Sequence, residues 1–369
     1  MLITNVHILP IGGVKEIKNG YIFIEGDRII AVGPIEEAPK WQEVYDGEGD
    51  FACPGFIDSH CHIGLFRHGE QDACETLQIA TPQYRVIDSI DLKDEYWDVA
   101  LKAGVLTTII TPSSHSVISG QIAAIDVANV VNKKTDEYIY RAPIGIKCSF
   151  GENPKKADLV KTRMAEVAII REVLSMATKY AANSKSKFDF ELESLKPVLK
   201  RKIPLYIHAH TAGDILAAIR IAEEFNINIV LIHATSCEGF TEKLKDMKIG
   251  VICGPQINVK NKTELADFSP ALPAVLSVNG VKVAIATDHP EMPIDGLALS
   301  AGMAIRAGMP PLDALEAITI NAAEICGISD ILGSIEPDKI ANILLYNKFP
   351  LDFYAKPKTI IARGEVVSV

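Results

Sequence analysis

Four imidazoles and a carboxylate in this chain stand where short apolar runs end. His60 and His62 lie two apart in Ile57-Asp58-Ser59-His60-Cys61-His62. Side chains at i and i+2 of an extended strand project to one face, so both rings point the same way. Neutral imidazole is the commonest ligand of divalent transition metals, and two from one strand make a rigid half-site. A lone His-x-His also occurs as a surface or core pair, and the rest of the set separates the two cases. His208 ends Pro204-Leu205-Tyr206-Ile207-His208, His233 ends Asn228-Ile229-Val230-Leu231-Ile232-His233, and Asp288 follows Val283-Ala284-Ile285-Ala286-Thr287. Groups at successive strand ends converge on one point if the strands form a barrel, whose chemistry collects at the C-terminal rim. Asp288 also fits the N-cap of a following helix, given Pro290 two residues on.

A lysine inside an apolar strand is a second anomaly. Ile144-Gly145-Ile146-Lys147-Cys148-Ser149 is followed by Phe150-Gly151-Glu152-Asn153. A buried ammonium is costly unless paired or chemically changed, and burial favours the free amine, which reacts with CO2. A carbamate on Lys147 has two oxygens, one for each of two metals; a salt bridge to a barrel carboxylate is the alternative. Glu152 is the rival bridge, since it is already a carboxylate, and is otherwise an exposed loop acid. His115, His210 and His289 are substrate-facing candidates. His115 also fits an exposed loop position, and the i+2 relation of His210 to His208 allows a ligand role. His7 and His68 are assigned none.

The elements that must hold these groups follow from the patterning. Apolar runs at Gly55 to His60, Val105 to Ile110, Ile144 to Ser149, Ile203 to His208, Ile227 to His233, Ile249 to Cys253 and Val281 to Thr287 suit parallel strands buried on both faces. An eighth strand falls in Gln121 to Ile125 or Tyr138 to Ala142. Helical stretches alternate with them at Met164 to Ala182, Ala212 to Phe225, Thr241 to Met247 and Pro311 to Cys326, with an exposed loop at Asn183 to Lys187. That alternation predicts a (β/α)8 barrel with helices outside, over residues 53–332. Both ends read as short strands instead: Leu2 to Leu9, Tyr21 to Glu25, Arg28 to Val32 and Glu43 to Tyr45, then Ala341 to Tyr346, Thr359 to Ala362 and Glu365 to Val369. Neither set makes a stable sheet alone, so residues 1–52 and 333–369 are expected to join in one small β-sandwich domain.

Composition narrows the class. Of 369 residues 48% are hydrophobic and 23% charged, which allows a large core. A net charge of −10 without a basic cluster argues against a nucleic-acid partner. The longest apolar runs are strand-length, so no membrane span is expected, and the N-terminus lacks the basic region of a signal peptide. Seven cysteines without CxxC spacing suit free thiols in a reducing cytoplasm. A homo-oligomer is compatible with all of this and not required by it.

Pro54-Gly55-Phe56-Ile57-Asp58-Ser59-His60-Cys61-His62 resembles the PGFID-x-HxH signature of the amidohydrolase superfamily. His208, His233 and Asp288 match its ligands on the fifth, sixth and eighth strands. Gly333-Ser334-Ile335-Glu336-Pro337-Asp338-Lys339-Ile340-Ala341-Asn342 is similar to its G-S-I-E-x-G-K-x-A-D element, with Asp338 for glycine and Asn342 for aspartate. Gly145-Ile146-Lys147, Gly151 to Lys155 and His208-Ala209-His210 look closest to the imidazolonepropionase-like and prolidase-like branch, where a carboxylated lysine matches Lys147. The resemblance implies one or two divalent metals, Zn2+ expected, held by His60, His62, Lys147, His208, His233 and Asp288. It implies hydrolysis of an amide C–N bond in a small molecule (a cyclic amide, an imidazolone-like ring or an Xaa-Pro-like dipeptide) by metal-activated hydroxide, with Asp288 carrying the proton. The rival is an aminohydrolase acting on a purine, pyrimidine or amidine. Such deaminases often use one metal and no bridging ligand from strand four. A third reading, a non-catalytic barrel with an interaction role, conflicts with retention of the whole ligand set.

Overall fold

The computed structural model describes residues 1–66, 72–73, 75–135, 137–158 and 160–367; His68 and the last two residues of the expected final strand lie outside them. The N-terminal strands are β1 (Leu2–Ile8), β2 (Ile17–Glu25), β3 (Arg28–Pro34), β4 (Val44–Asp46) and β5 (Phe51–Pro54). The central ones are β6 (Phe56–Cys61), β7 (Val105–Ile110), β8 (Ile118–Asp126), β9 (Ile139–Ser149), β10 (Leu205–Ala209), β11 (Ile229–His233), β12 (Gly250–Cys253) and β13 (Val283–Ile285). The chain ends on β14 (Ile343–Tyr346), β15 (Thr359–Ala362) and β16 (Glu365–Val367).

Two eight-stranded sheets result. One runs β16-β15-β14-β5-β1-β2-β3 with β4 also on β1, so both termini share a sheet. The strands alternate buried and exposed positions at its edges, and Ile3, Ile8, Ile22, Ile24, Ile343 and Ile361 form its core. Arg363 ties this sheet to the other, reaching Asp126 at 3.0 Å and Asp27 at 2.7 Å.

The second sheet, β6 through β13 in chain order, curls into a nearly closed barrel. It differs from the expected all-parallel arrangement at one strand: β8 pairs antiparallel with β7 and with β9. The connection explains this. Only residues 111–117 join β7 to β8, and a parallel crossover needs a dozen residues or more. The chain therefore turns back at the C-terminal rim, descends, and climbs again through β9. Gln121 to Ile125 lies within β8, and Tyr138 to Ala142 overlaps the lower half of β9.

The barrel is filled. Ile57, Ile109, Ile122, Tyr206, Ile232 and Ile252 pack inward and meet Ile325 and Ile328 beneath. Outer helices cover the other face. In Ala212–Phe225 the residues Ile215, Ala218, Ile219 and Ala222 are buried at helical spacing. Thr211 caps its N-terminus through the Asp214 N–H, and Asn226, in the left-handed region at φ 51°, ends it. Losing such a cap typically costs about 1 kcal/mol.

The continuous helix expected over Pro311 to Cys326 is two helices, Pro311–Ala317 and Ile320–Ile325. The Ile318 carbonyl accepts from Ile57 N–H of β6 at 2.8 Å, and the buried Thr319 hydroxyl bonds back to the Leu315 carbonyl. Both divert groups that helix continuation would use. Helices at Tyr96–Lys102, Phe190–Leu199, Leu272–Val278 and Leu297–Arg306 were not anticipated. Among the described residues no helix is long and apolar enough to cross a membrane.

Candidate metal centre

The first and last barrel strands meet at the rim. His62 N–H donates to the His289 carbonyl at 2.9 Å, and Asp288 N–H to the His60 carbonyl at 3.0 Å. Asp58, fully buried, fastens the seam: its Oδ1 accepts from His60 N–H at 3.3 Å and Thr287 N–H at 3.2 Å, and Oδ2 from the Thr287 hydroxyl. Burial pushes its carboxyl up to about 7 despite those bonds. The closure brings His60 and His62 against Asp288, which are some 230 residues apart in sequence only because the barrel closes on itself.

Two groups of three ligand atoms result, His60, His62 and Asp288, and His208, His210 and His233. Within each, the atoms lie within 4.8 Å of one another. Asp288 faces both. Its Oδ1 is 3.1 Å from His60 Nε2 and 3.4 Å from His62 Nε2, and its Oδ2 is 3.9 Å from His233 Nε2. Burial alone would raise the Asp288 carboxyl, but the imidazoles of His60, His62 and His233 hold it well below the carboxylate range. Asp288 at φ 55° and His233 at φ 68° sit in the left-handed region, uncommon for side-chain-bearing residues and frequent at functional sites.

The ring orientations are set from behind. His62 Nδ1 is 2.7 Å from the Thr111 carbonyl and His233 Nδ1 is 2.6 Å from the Gly254 carbonyl. A carbonyl only accepts, so both Nδ1 atoms carry the proton and both Nε2 atoms offer a lone pair. His60 Nδ1 meets the Thr111 hydroxyl at 2.9 Å, and His210 Nδ1 the Thr235 hydroxyl at 2.7 Å. Burial first, then neighbouring positive groups, depress His60 and His208 far below the ordinary imidazole value, so both are neutral. Both ring nitrogens of His208 are buried without a hydrogen-bond partner, and His60 Nε2 meets only the Asp288 carboxylate, at 3.1 Å. Buried polar atoms left so cost about 1–3 kcal/mol each. Lone pairs of neutral imidazoles converging on an anionic carboxylate suit a divalent cation, so the residues fit a metal.

The other expected residues are placed as follows. Lys147 is fully buried on β9, and its Nζ donates to Ser114 Oγ at 3.0 Å. Glu152 turns to the loop beyond β12, its Oε1 accepting from Glu264 N–H at 3.3 Å. His210 stacks on His233 with centroids 4.7 Å apart and stands with the ligand atoms. His115 lies exposed on the rim, 2.9 Å from Ser113 Oγ. His289 packs on Tyr96 at 4.4 Å, away from the cavity, and burial lowers it to about 4. A cavity of about 310 Å³ opens above the histidines.

Several residues that shape the site had no spacing to announce them. Glu264, buried, stands 4.0 Å from His210 Nε2 and accepts the Glu152 N–H at 2.9 Å. Thr111, Asp58 and Lys262 are likewise single polar residues whose partners lie far off in sequence.

Residues 51–369 match the amidohydrolase family model. The chain belongs to the amidohydrolase family. It is a hydrolase acting on carbon–nitrogen bonds in small molecules, in a family that generally binds a divalent metal. An amidohydrolase structure from Thermotoga maritima MSB8 superimposes with a TM-score of 0.92 at 32% identity, covering 100% of this chain and 99% of that one. An imidazolonepropionase of Geobacillus thermodenitrificans is 27% identical, covering 90% of this amidohydrolase and 84% of that protein. A 5-methylthioadenosine/S-adenosylhomocysteine deaminase of Thermoanaerobacter pseudethanolicus is 24% identical over 98% of this chain and 88% of its own. The amidohydrolase tasK of Hapsidospora irregularis is 23% identical over 90% of this chain, which spans 38% of that longer protein.

Proposed function

We propose that this amidohydrolase cleaves the amide C–N bond of a small molecule: a cyclic amide, an imidazolone-like ring or an Xaa-Pro-like dipeptide. The observation that carries the reading is the position of Asp288 between two histidine groups, with one carboxylate oxygen toward each. His60, His62 and Asp288 would hold one ion, Zn2+ in our reading, and His208 and His233 a second. A divalent ion held by these residues would supply Lewis-acid polarisation of the scissile carbonyl and a water acidic enough to ionise near neutral pH. Asp288, as the carboxylate, takes the proton from the attacking water at one oxygen and delivers it to the leaving nitrogen. The Thr111 and Gly254 carbonyls keep the His62 and His233 lone pairs aimed at the centre throughout.

Lys147 completes the reading as a carbamate. As the uncharged amine its Nζ would add to CO2, forming the N–C bond and releasing a proton to solvent, and the carbamate would supply anionic oxygen ligands to the metal centre. Full burial on β9 supports Lys147, and the engagement of Glu152 with the Glu264 backbone leaves that carboxylate directed elsewhere. We further place the domain boundaries at 1–52 with 333–369, and 53–332. Cysteines that are buried free thiols among the described residues support a reducing, cytoplasmic setting.

The similarity to a deaminase keeps release of ammonia as the second reading. Metal analysis of the purified protein, combined with a panel of small amides and N-heterocycles, distinguishes them. About two ions per chain with a carboxylate product supports amide hydrolysis, and about one ion with ammonia release supports deamination. Absence of metal and of turnover refutes both.

A further inference from the structure

We propose that Lys262, with Asn153, is the recognition site for a carboxylate on the substrate, so that the enzyme acts on acidic rather than neutral amides. The inference rests on the amide-hydrolase reading and names the substrate class for it. Lys262 lies in the loop between β12 and the helix Leu272–Val278, and it lines the cavity whose floor is His62, His208, His233 and Asp288. It is the one lysine or arginine among the described residues lining that cavity. Its Nζ donates to Asn153 Oδ1 at 3.2 Å, and no carboxylate among the described residues is within ion-pairing distance of it.

A half-buried ammonium whose hydrogen bond is to an amide, and whose charge Glu264 feels without pairing with it, keeps two donors to offer. Its charge is felt across the mouth: burial first, then Lys262, depress His115 on the facing rim. The cavity wall also carries Ser113 and Asn258, and its two carboxylates, Asp288 and Glu291, form no ion pair with Lys262. A cavity of about 310 Å³ is at the small end of ligand sites. One cation in a small space suits a monoanion. A cationic group beside Lys262 is repelled, and a neutral one leaves the ammonium without a charged partner. The amide is then held at both ends, its carbonyl over the Asp288 side and its carboxylate at Lys262. Asn153 belongs to the first turn of the short helix Glu152–Lys156, which Glu166 and Glu264 fix through the Gly151 and Glu152 N–H groups at 2.9 Å. The turn therefore presents the Asn153 amide at a set position.

The test is calorimetric titration of the zinc-loaded protein with N-acetylglycine and with N-acetylglycinamide, which differ only in the carboxylate. The native protein is expected to prefer the acid by roughly tenfold to a hundredfold, as for a charge-assisted hydrogen bond. Lys262→Met should cut the preference below about threefold with affinity for the amide and zinc content unchanged, and Lys262→Arg should keep most of it. Three results overturn the proposal: a preference that survives Lys262→Met, which places the carboxylate on the metal; equal binding of the two by the native protein; or no binding of either at about 20 mM, weaker than any useful site. Cleavage of neutral amides by the metal-loaded protein, unaffected by Lys262→Met, would sink this assignment alone. Failure to take up metal would sink the hydrolase reading itself.

Discussion

Thr111→Val isolates the support behind one metal ligand. Thr111 is fully buried at the end of β7, and its hydroxyl lies 2.9 Å from His60 Nδ1. Its carbonyl, which valine keeps, holds His62 Nδ1 at 2.7 Å. Valine is nearly isosteric, so the change removes the hydroxyl's bond to His60 Nδ1 and its longer contact to His62 Nδ1 at 3.5 Å, and little volume. For His60 to offer Nε2 to a metal, Nδ1 must carry the proton, and in the variant that N–H is buried without an acceptor. An unsatisfied buried donor costs about 1–3 kcal/mol. Loss of a group that orients a ligating imidazole typically lowers metal affinity by about 10–100-fold, which is about 1.4–2.7 kcal/mol. The two ranges agree. Zinc competition against a chromophoric chelator should show that loss at one site only. Apo-protein unfolding should move less than the metal-induced rise in Tm. Zinc affinity of Thr111→Val within about twofold of native would refute the argument that His60 is a ligand oriented through Nδ1.

Asp288→Asn should abolish turnover and leave most of the metal bound, because the histidines hold it; retention of more than about a tenth of the activity would exclude general acid/base work, usually worth 10²–10⁴-fold. Lys147→Ala should lose the second metal by elemental analysis and regain activity with added short carboxylic acids, whose oxygens replace the carbamate; full metal content would remove Lys147 from the bridge. Burial raises the Glu166 carboxyl from 4.5 to about 7. An acid whose folded pKa is raised contributes stability present below its unfolded value and lost as pH rises through the folded one. Native stability relative to Glu166→Gln should thus fall between about pH 4.5 and pH 7, by up to about 3 kcal/mol. Urea unfolding across that range checks it, and parallel curves for the two proteins would show that the carboxyl titrates normally.

Period-two alternation determines that His60 and His62 share a face, and an apolar run ending in a polar residue determines that His208, His233 and Asp288 stand at strand ends. Those are local properties of the chain, so they survive without tertiary information. The sequence also determines that both termini are β and the middle alternates, because strand and helix periods differ. Direction is another matter: an apolar run buried on both faces reads the same up or down, and only the short 111–117 connection, set against the barrel's circumference, turns β8 antiparallel. The tertiary structure alone decided that Thr111, Glu264 and Lys262 matter, because each works through a partner distant in sequence. It decided too that His289 faces Tyr96 while His210 joins the ligand atoms, although both are histidines next to a strand end. A strand's pleat says which side a residue takes; what waits on that side is contributed by the other seven strands.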